Sequence, residues 1–591
     1  MLELFRFLEP FRGSVAIVSV LALAQSLANL YLPRLMADIV DFGIVPGDTR
    51  KILEVGGLML LVAIVGTICA VAGSFFASKV ATGFGRVVRG RIFDRVAHFS
   101  LHQFDHFSTA SLITRTTNDT TQVQQVLLML LSMAISAPMM AIGGVTLSLS
   151  QDARLARVLI AVIPVLAVVF VLIMWRALPL FQRMQTQIDR LNLVLDEGLT
   201  GIRVIRAFDR GAHASQRFDD ANREVTATAI AVNRLIALLM PAMFFMMNLT
   251  SVLILWFGAV RIDAGAMHVG AMMASLQYAI QILFAVFMVT AVFVMLPRAA
   301  ASAERINEVL DVVPDIVDPM PDVKAASGVN VASGVDVASG FSRTKGRVEF
   351  QDVTFQYPGA EEPALSEVSF TAMPGEVTAI IGGTGSGKST LAGLIPRFYD
   401  VNHGRVLVDG VDVREMRQAD LRAKIGYVPQ KAVLFSGTVA SNIRFGHDAA
   451  TDDDMRHAAV VAQAAEFVDQ MPDGYASPVS QGGTNFSGGQ QQRLAIARAL
   501  VRRAEIYVFD DSFSALDFAT DARLRAALKA DLTDATVFIV SQRIGTVMNA
   551  DRIVVLDDGR VAGLGTHAEL LQACDVYRQI AESQASLEEV A

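Results

Sequence analysis

The sequence predicts a two-part protein: an all-α membrane part with six spanning helices, followed by an α/β domain built on a phosphate-binding loop. Three observations carry this. Apolar residues make up 53% of the 591 residues and charged ones only 18%, and the apolar excess sits before about residue 300. Six stretches in that half are long enough to cross a bilayer. Further on, Ile380-Ile381-Gly382-Gly383-Thr384-Gly385-Ser386-Gly387-Lys388-Ser389-Thr390-Leu391 fits G-x-x-x-x-G-K-[ST], the pattern of a loop that cradles phosphates.

The spans run approximately over 14–40, 56–85, 123–149, 158–180, 237–260 and 270–296. Any one of them could be a buried core helix; six in series read as membrane. Ala22-Leu23-Ala24 does not read as the end of a signal peptide. Glu3 and Glu9 offset Arg6 and Arg12 before it, and the apolar run continues past it.

The connections set the orientation. Lys79, Arg86, Arg89, Arg91, Arg95 and Arg115 lie between the second and third spans, and nine arginines from Arg176 to Arg234 lie between the fourth and fifth. The other three connections are short and carry few cations. Positive-inside then puts both termini, both long connections and the C-terminal domain in the cytoplasm of a multi-pass protein of the cell membrane. Ile188, Leu191, Leu195, Leu199 and Ile202 recur at helical steps, so the long connections read as membrane helices extended into the cytoplasm. They turn near 104–112 and 208–215, where contact with the nucleotide domain is expected.

The domain boundaries follow: a transmembrane domain over 1–313, a linker over 314–346 and a nucleotide-binding domain over 347–591. In the linker the periodicity stops, and Ala-Ser-Gly recurs at 326–328, 332–334 and 338–340, the composition of a flexible tether. The net charge of −8 gives no sign of nucleic-acid binding. Cys69 and Cys574, one in each half, supply neither a disulfide framework nor a zinc site.

In the phosphate loop, four glycines (Gly382, Gly383, Gly385 and Gly387) let successive N–H groups, with those of Thr384, Ser386 and Thr390 nearby, point at one anion. The following helix adds its partial positive charge. Lys388 is expected to reach the β- and γ-phosphates of ATP, and Ser389 to hold Mg²⁺. Ile506-Tyr507-Val508-Phe509-Asp510 is an apolar strand ending in a carboxylate, and Asp510 is expected to support the same Mg²⁺. Tyr357, at the end of an alternating strand, can stack on an adenine or be a half-buried strand tyrosine. Gln430 closes a short strand.

Asn485-Phe486-Ser487-Gly488-Gly489-Gln490-Gln491-Gln492-Arg493 resembles the signature of the ATP-binding-cassette family. Ser514-Ala515-Leu516-Asp517 is similar to that family's D-loop, Gln430 stands at its Q-loop and Tyr357 at its adenine-stacking position. The resemblance covers nearly the whole chain and implies a half-size exporter: exporter-type helices with long cytoplasmic extensions, two coupling helices at the turns, and a P-loop nucleotide-binding domain. It also implies head-to-tail pairing of two such domains. Each ATP then lies between one chain's loop and the other chain's signature, here Ser487, Gly488, Gly489 and Gln490. Within its own site the resemblance gives Gln430 to Mg²⁺ beside Ser389 and Asp510, and catalytic positions to Asp511, Gln542 and Gln430.

Two of these depart from the family pattern. Asp511 stands where the family has Glu, which draws the carboxylate back by about 1.5 Å; about 1 Å of displacement can cost ~10²-fold in rate. Gln542 stands where it has His, and an amide cannot carry the proton; losing a positioned acid–base group costs ~10²–10⁴-fold. Gln481 also replaces a usual acidic residue before the signature. Because the signature itself is intact, the expected partner is a second, different half-transporter carrying Glu and His. The alternatives are a homodimeric exporter with slow ATPase, and an ATP-gated channel or regulatory subunit. An importer is less expected, since importers usually keep these parts on separate chains. The spans are rich in Met and Phe, including Met240, Met243, Met246, Met272, Phe244, Phe245, Phe284 and Phe293. Adaptable side chains of this kind suit an apolar small-molecule or lipid cargo, although most of them are expected to pack helices or face membrane lipid.

Overall fold

The computed structural model describes residues 3–319 and 345–588; the Ala-Ser-Gly repeat at 326–340 and the side chain of Phe293 lie outside the described residues. The chain divides into two compact units, one of Met1–Ala97 with Thr109–Val312, the other of His98–Ser108 with Val313–Ala591.

Among the described residues of the first unit, six helices are long and apolar enough to cross a membrane: Glu3–Ile44, Thr49–Ala97, Thr109–Gln151, Ala153–Thr200, Gly211–Asp263 and one starting at Val269, which continues to Asp311. The second has 49 residues and the fourth 48. At 1.5 Å per residue each is about 70 Å long, more than twice the hydrocarbon thickness of about 30 Å. The apolar spans therefore do continue as helices well past the bilayer.

Small residues let these helices approach closely. A Cβ on Gly143 would sit 2.4 Å from Leu30 Cδ1, and one on Gly144 would sit 2.8 Å from Ile282 Cγ1. Nearby, the buried Tyr278 hydroxyl donates to the Leu30 carbonyl at 3.0 Å. Past the apolar stretch the third helix widens into a π-turn over Arg115–Asp119. There Asp119 is buried and accepts from Ser302 Oγ at 2.9 Å and Arg305 Nε at 2.8 Å, while Arg115 meets Glu308 at 2.8 Å. The third and sixth helices are thus clamped by charge beyond the apolar stretch.

In the second unit twelve strands are described: β1 (Val348–Phe355), β2 (Leu365–Ala372), β3 (Val377–Gly382), β4 (His403–Val408), β5 (Val411–Asp412), β6 (Ile425–Val428), β7 (Gly437–Thr438), β8 (Pro478–Val479), β9 (Ile506–Asp510), β10 (Thr536–Val540), β11 (Arg552–Asp557) and β12 (Arg560–Gly565). They form an antiparallel sheet β2-β1-β4-β5, a larger sheet β12-β11-β3-β10-β9-β6 and a small β7-β8 pair. In the larger sheet all neighbours are parallel except β11 and β12. Every residue of β9 and β10 is buried, as continuous apolar runs require when a parallel sheet is covered on both faces.

The short helix Leu101–Phe107 belongs to this second unit. Ser100 Oγ lies 3.1 Å from Asp315 Oδ2, and Gln103 Nε2 donates to the Val313 carbonyl at 2.7 Å. The same segment continues into the nucleotide domain, where Asp318 accepts from the Gln418 N–H at 2.9 Å and the Val317 carbonyl accepts from Arg397. The first of the two turns expected to be coupling helices is therefore bonded to chain that is itself bonded to the nucleotide domain.

Candidate nucleotide site

The larger sheet places three chain segments at one edge. β3, β10 and β9 are adjacent and parallel, and in register Ile380 pairs with Val540 and Val540 with Asp510. Ligands of open parallel sheets bind at this carboxyl edge. The phosphate loop leaves β3, residues 541–543 leave β10, and Asp510-Asp511 ends β9. Ser541 N–H donates to the Ile380 carbonyl at 3.1 Å, and Asp511 N–H to the Val540 carbonyl at 3.0 Å, so the three exits are tied together by backbone.

Gly385 and Gly387 have φ of 86° and 90°, conformations that glycine adopts without cost, and Gly387 starts the helix Lys388–Leu394. Lys388 folds back over the loop, with Nζ 2.5 Å from the Gly383 carbonyl and 3.4 Å from Ser386 Oγ. Ser389 Oγ donates to Asp510 Oδ1 at 2.9 Å. Both ionisable groups are short of compensation. Burial pushes the Lys388 ammonium pKa down, against the pull of Asp511 and Asp510. Burial likewise pushes the Asp510 carboxyl up, aided by the charge of Asp511 and opposed by Ser389 and Lys388. A polyphosphate beside Lys388 and a hard divalent cation beside Ser389 and Asp510 would supply what each lacks, and the oxygen donors suit Mg²⁺.

Asp511 is half-buried with φ of 44°, a left-handed conformation that aspartate tolerates better than most residues. Its carbonyl accepts from Ser514 Oγ at 2.9 Å, and its Oδ2 accepts from Gln430 Nε2 at 3.4 Å. The phosphate loop, Asp510, Asp511 and Gln430 therefore meet in one place. Tyr357 lies beside the loop helix, its hydroxyl 2.9 Å from Thr390 Oγ1 and its ring edge-on to Tyr399. Gln542 is exposed.

Three contacts here have no motif to announce them. Gln584, on the last helix, accepts from the Ile544 N–H at 2.8 Å and donates to the Gln542 carbonyl at 2.7 Å. Arg543 donates to the Ser514 carbonyl at 3.1 Å. Tyr427 bonds the Asp510 carboxylate. The segment carrying Gln542 is thus held from the C-terminal helix and from the D-loop.

The signature residues open the helix Gly488–Leu500 through a capping box: Gln490 N–H donates to Ser487 Oγ at 3.3 Å, and Ser487 N–H to Gln490 Oε1 at 3.0 Å. This commits the side chain of Gln490 to the cap. The two glycines differ. A Cβ on Gly488 would meet nothing within 4 Å, whereas one on Gly489 would come 3.1 Å from the Ala515 carbonyl. Gly489 is small so that the D-loop can pack on it; Gly488 leaves its backbone open to approach.

Comparison with known proteins agrees with this arrangement. Residues 15–286 match the ABC transporter transmembrane region and residues 365–514 the ABC transporter domain. An uncharacterized ABC transporter ATP-binding protein of Mycobacterium tuberculosis is 43% identical over 98% of this chain and 97% of its own. A fatty acid ABC transporter ATP-binding/permease protein of Mycobacterium bovis is 33% identical over 83% of this chain and 75% of its own. The structure of a bacterial Atm1-family ABC exporter with ATP bound shares the fold, with a TM-score of 0.77 over 98% of both chains at 24% identity. The chain belongs to the ATP-binding-cassette transporter family, as a transport ATPase that carries six helices long and apolar enough to cross a membrane and its nucleotide-binding domain on one polypeptide.

Proposed function

We propose that this chain is one half of a heterodimeric exporter of apolar, lipid-like cargo, and that the ATP site on its own phosphate loop binds nucleotide and turns it over poorly. The loop amides of residues 382–387 and Lys388 take the phosphates, and Tyr357 takes the adenine. Ser389 and Gln430 hold Mg²⁺, with Asp510 acting through water; when bound, the ion offsets phosphate charge. Ser487, Gly488, Gly489 and the backbone of Gln490 complete the site of a partner that carries Glu and His at the positions of Asp511 and Gln542. The arginine distribution supports a cytoplasmic nucleotide domain.

One observation carries the impaired-site reading. Asp511 is pinned on both sides, by its N–H on Val540 and its carbonyl under Ser514. Its backbone cannot advance to make up for a side chain one carbon short of glutamate. Gln542 offers an amide in place of a titratable ring. For the cargo, support comes from the exposed Phe244, Phe245 and Phe284 and from the similarity to a fatty acid transporter.

The test is to purify the chain with the half-transporter that accompanies it and to compare two substitutions. Removing the partner's carboxylate should abolish ATP turnover. Asp511→Asn here should change it less than about threefold, because little rate is there to lose. Equal loss from both substitutions would contradict the proposal. Uphill accumulation of a lipid-like compound in sealed vesicles would separate a pump from an ATP-gated channel.

A further inference from the structure

The second helix carries a stripe that changes character along its length. Ile64, Ile68, Val71 and Phe75 recur at three- and four-residue steps and are exposed. The same line continues through Lys79, Thr82 and Arg86, also exposed, where the apolar stretch of residues 56–85 ends. At 1.5 Å per residue Lys79 and Arg86 are about 10 Å apart, one within the last turns of the apolar stretch and one just past its end. The helix is recessed there. Phe11, from the N-terminal segment, packs onto Gly83 so closely that a Cβ would sit 2.6 Å from its ring. Phe11, Lys79, Thr82, Gly83, Arg86 and Arg91 line a groove of about 700 Å³, together with the carboxylate of Asp94. Among the described residues, Lys79 and Arg86 form no ion pair with the protein, while Asp94 stands one helical turn from Arg91.

Lys79 and Arg86, two cations without an ion pair in a recess that carries three positive side chains and one carboxylate, call for an anion. The exposed apolar stripe leading into the recess calls for a chain of hydrocarbon on the same molecule. We propose that this groove is a site for an anionic phospholipid, with its phosphate between Lys79 and Arg86 and an acyl chain along Phe75, Val71 and Ile68. Basic recesses at the membrane surface hold lipid headgroups in this way. The site is remote in sequence from the phosphate loop and does not depend on which chain is the partner.

Native mass spectrometry of the detergent-purified full chain, titrated with phosphatidylglycerol or phosphatidylcholine, tests this. Phosphatidylglycerol should be retained about tenfold or more over phosphatidylcholine, as expected for two engaged cations. Lys79→Gln with Arg86→Gln should remove the preference, and Lys79→Arg with Arg86→Lys should keep it, with ATP binding as the check on folding. Should the glutamine pair fail to fold, the wild-type chain still decides, because its preference must weaken as salt rises. Equal retention of the two lipids overturns the proposal, as does an undiminished preference in a folded glutamine pair. So does loss of the preference to inorganic phosphate at matched ionic strength, which would mark a site for small anions only.

Discussion

Asp511 Oδ2 accepts a hydrogen bond from Gln430 Nε2 at 3.4 Å, while the Asp511 N–H donates to the Val540 carbonyl at 3.0 Å. The carboxylate is held at the carboxyl edge of the sheet on a stem one carbon shorter than that of glutamate, which in the proposed function is the cause of slow turnover. Asp511→Glu combined with Gln542→His should therefore raise hydrolysis at this chain's own site by roughly 10²–10⁴-fold, the range for restoring a positioned acid–base group. Single-turnover release of labelled phosphate from the complex, with the partner's site inactivated, checks it; an unchanged rate would place the defect elsewhere.

Gln584 bonds the backbone of both Gln542 and Ile544. Replacing it by leucine removes two hydrogen bonds of about 1 kcal/mol each and should lower nucleotide-domain stability by about 1–2 kcal/mol. Gln584→Glu keeps the acceptor for Ile544 and loses the donor to Gln542, so it should fall between. Thermal unfolding midpoints give the order.

Gly488 and Gly489 should respond differently to alanine. Gly488→Ala meets open space and should leave stability within about 0.5 kcal/mol while lowering ATPase of the assembled transporter. Gly489→Ala presses on the Ala515 carbonyl and should lower stability as well. Unfolding and ATPase measured on the same preparations distinguish them.

Asp119→Ala should destabilise the membrane unit by roughly 2 kcal/mol, through loss of charge-assisted bonds to Ser302 and Arg305. The figure stays well below that of a fully buried pair because the Arg305 side chain is about half exposed (47%). The unfolding midpoint in detergent measures it.

The residues differ in how far the sequence announced them. The phosphate loop was legible because its chemistry demands a contiguous pattern: glycines at fixed steps, then Lys388 and Ser389 on a helix start. The spans were legible because a bilayer admits only long apolar helices. Asp119 and Arg305 lie 186 residues apart, and no local pattern marks two polar residues that meet only when the third and sixth helices pack. Gln584 looks like any polar residue of a solvent-facing helix until the segment after β10 and the last helix are placed side by side. The different tasks of Gly488 and Gly489 were equally hidden, since the distinction lies in what a Cβ would touch.

The most direct measurement of the central claim is the steady-state ATPase of the purified full-length chain without any partner. Two copies of a chain with Asp511 and Gln542 should hydrolyse ATP at least ~10²-fold more slowly than the assembled heterodimer. Robust turnover by the isolated chain, within a few-fold of the complex, would contradict the account.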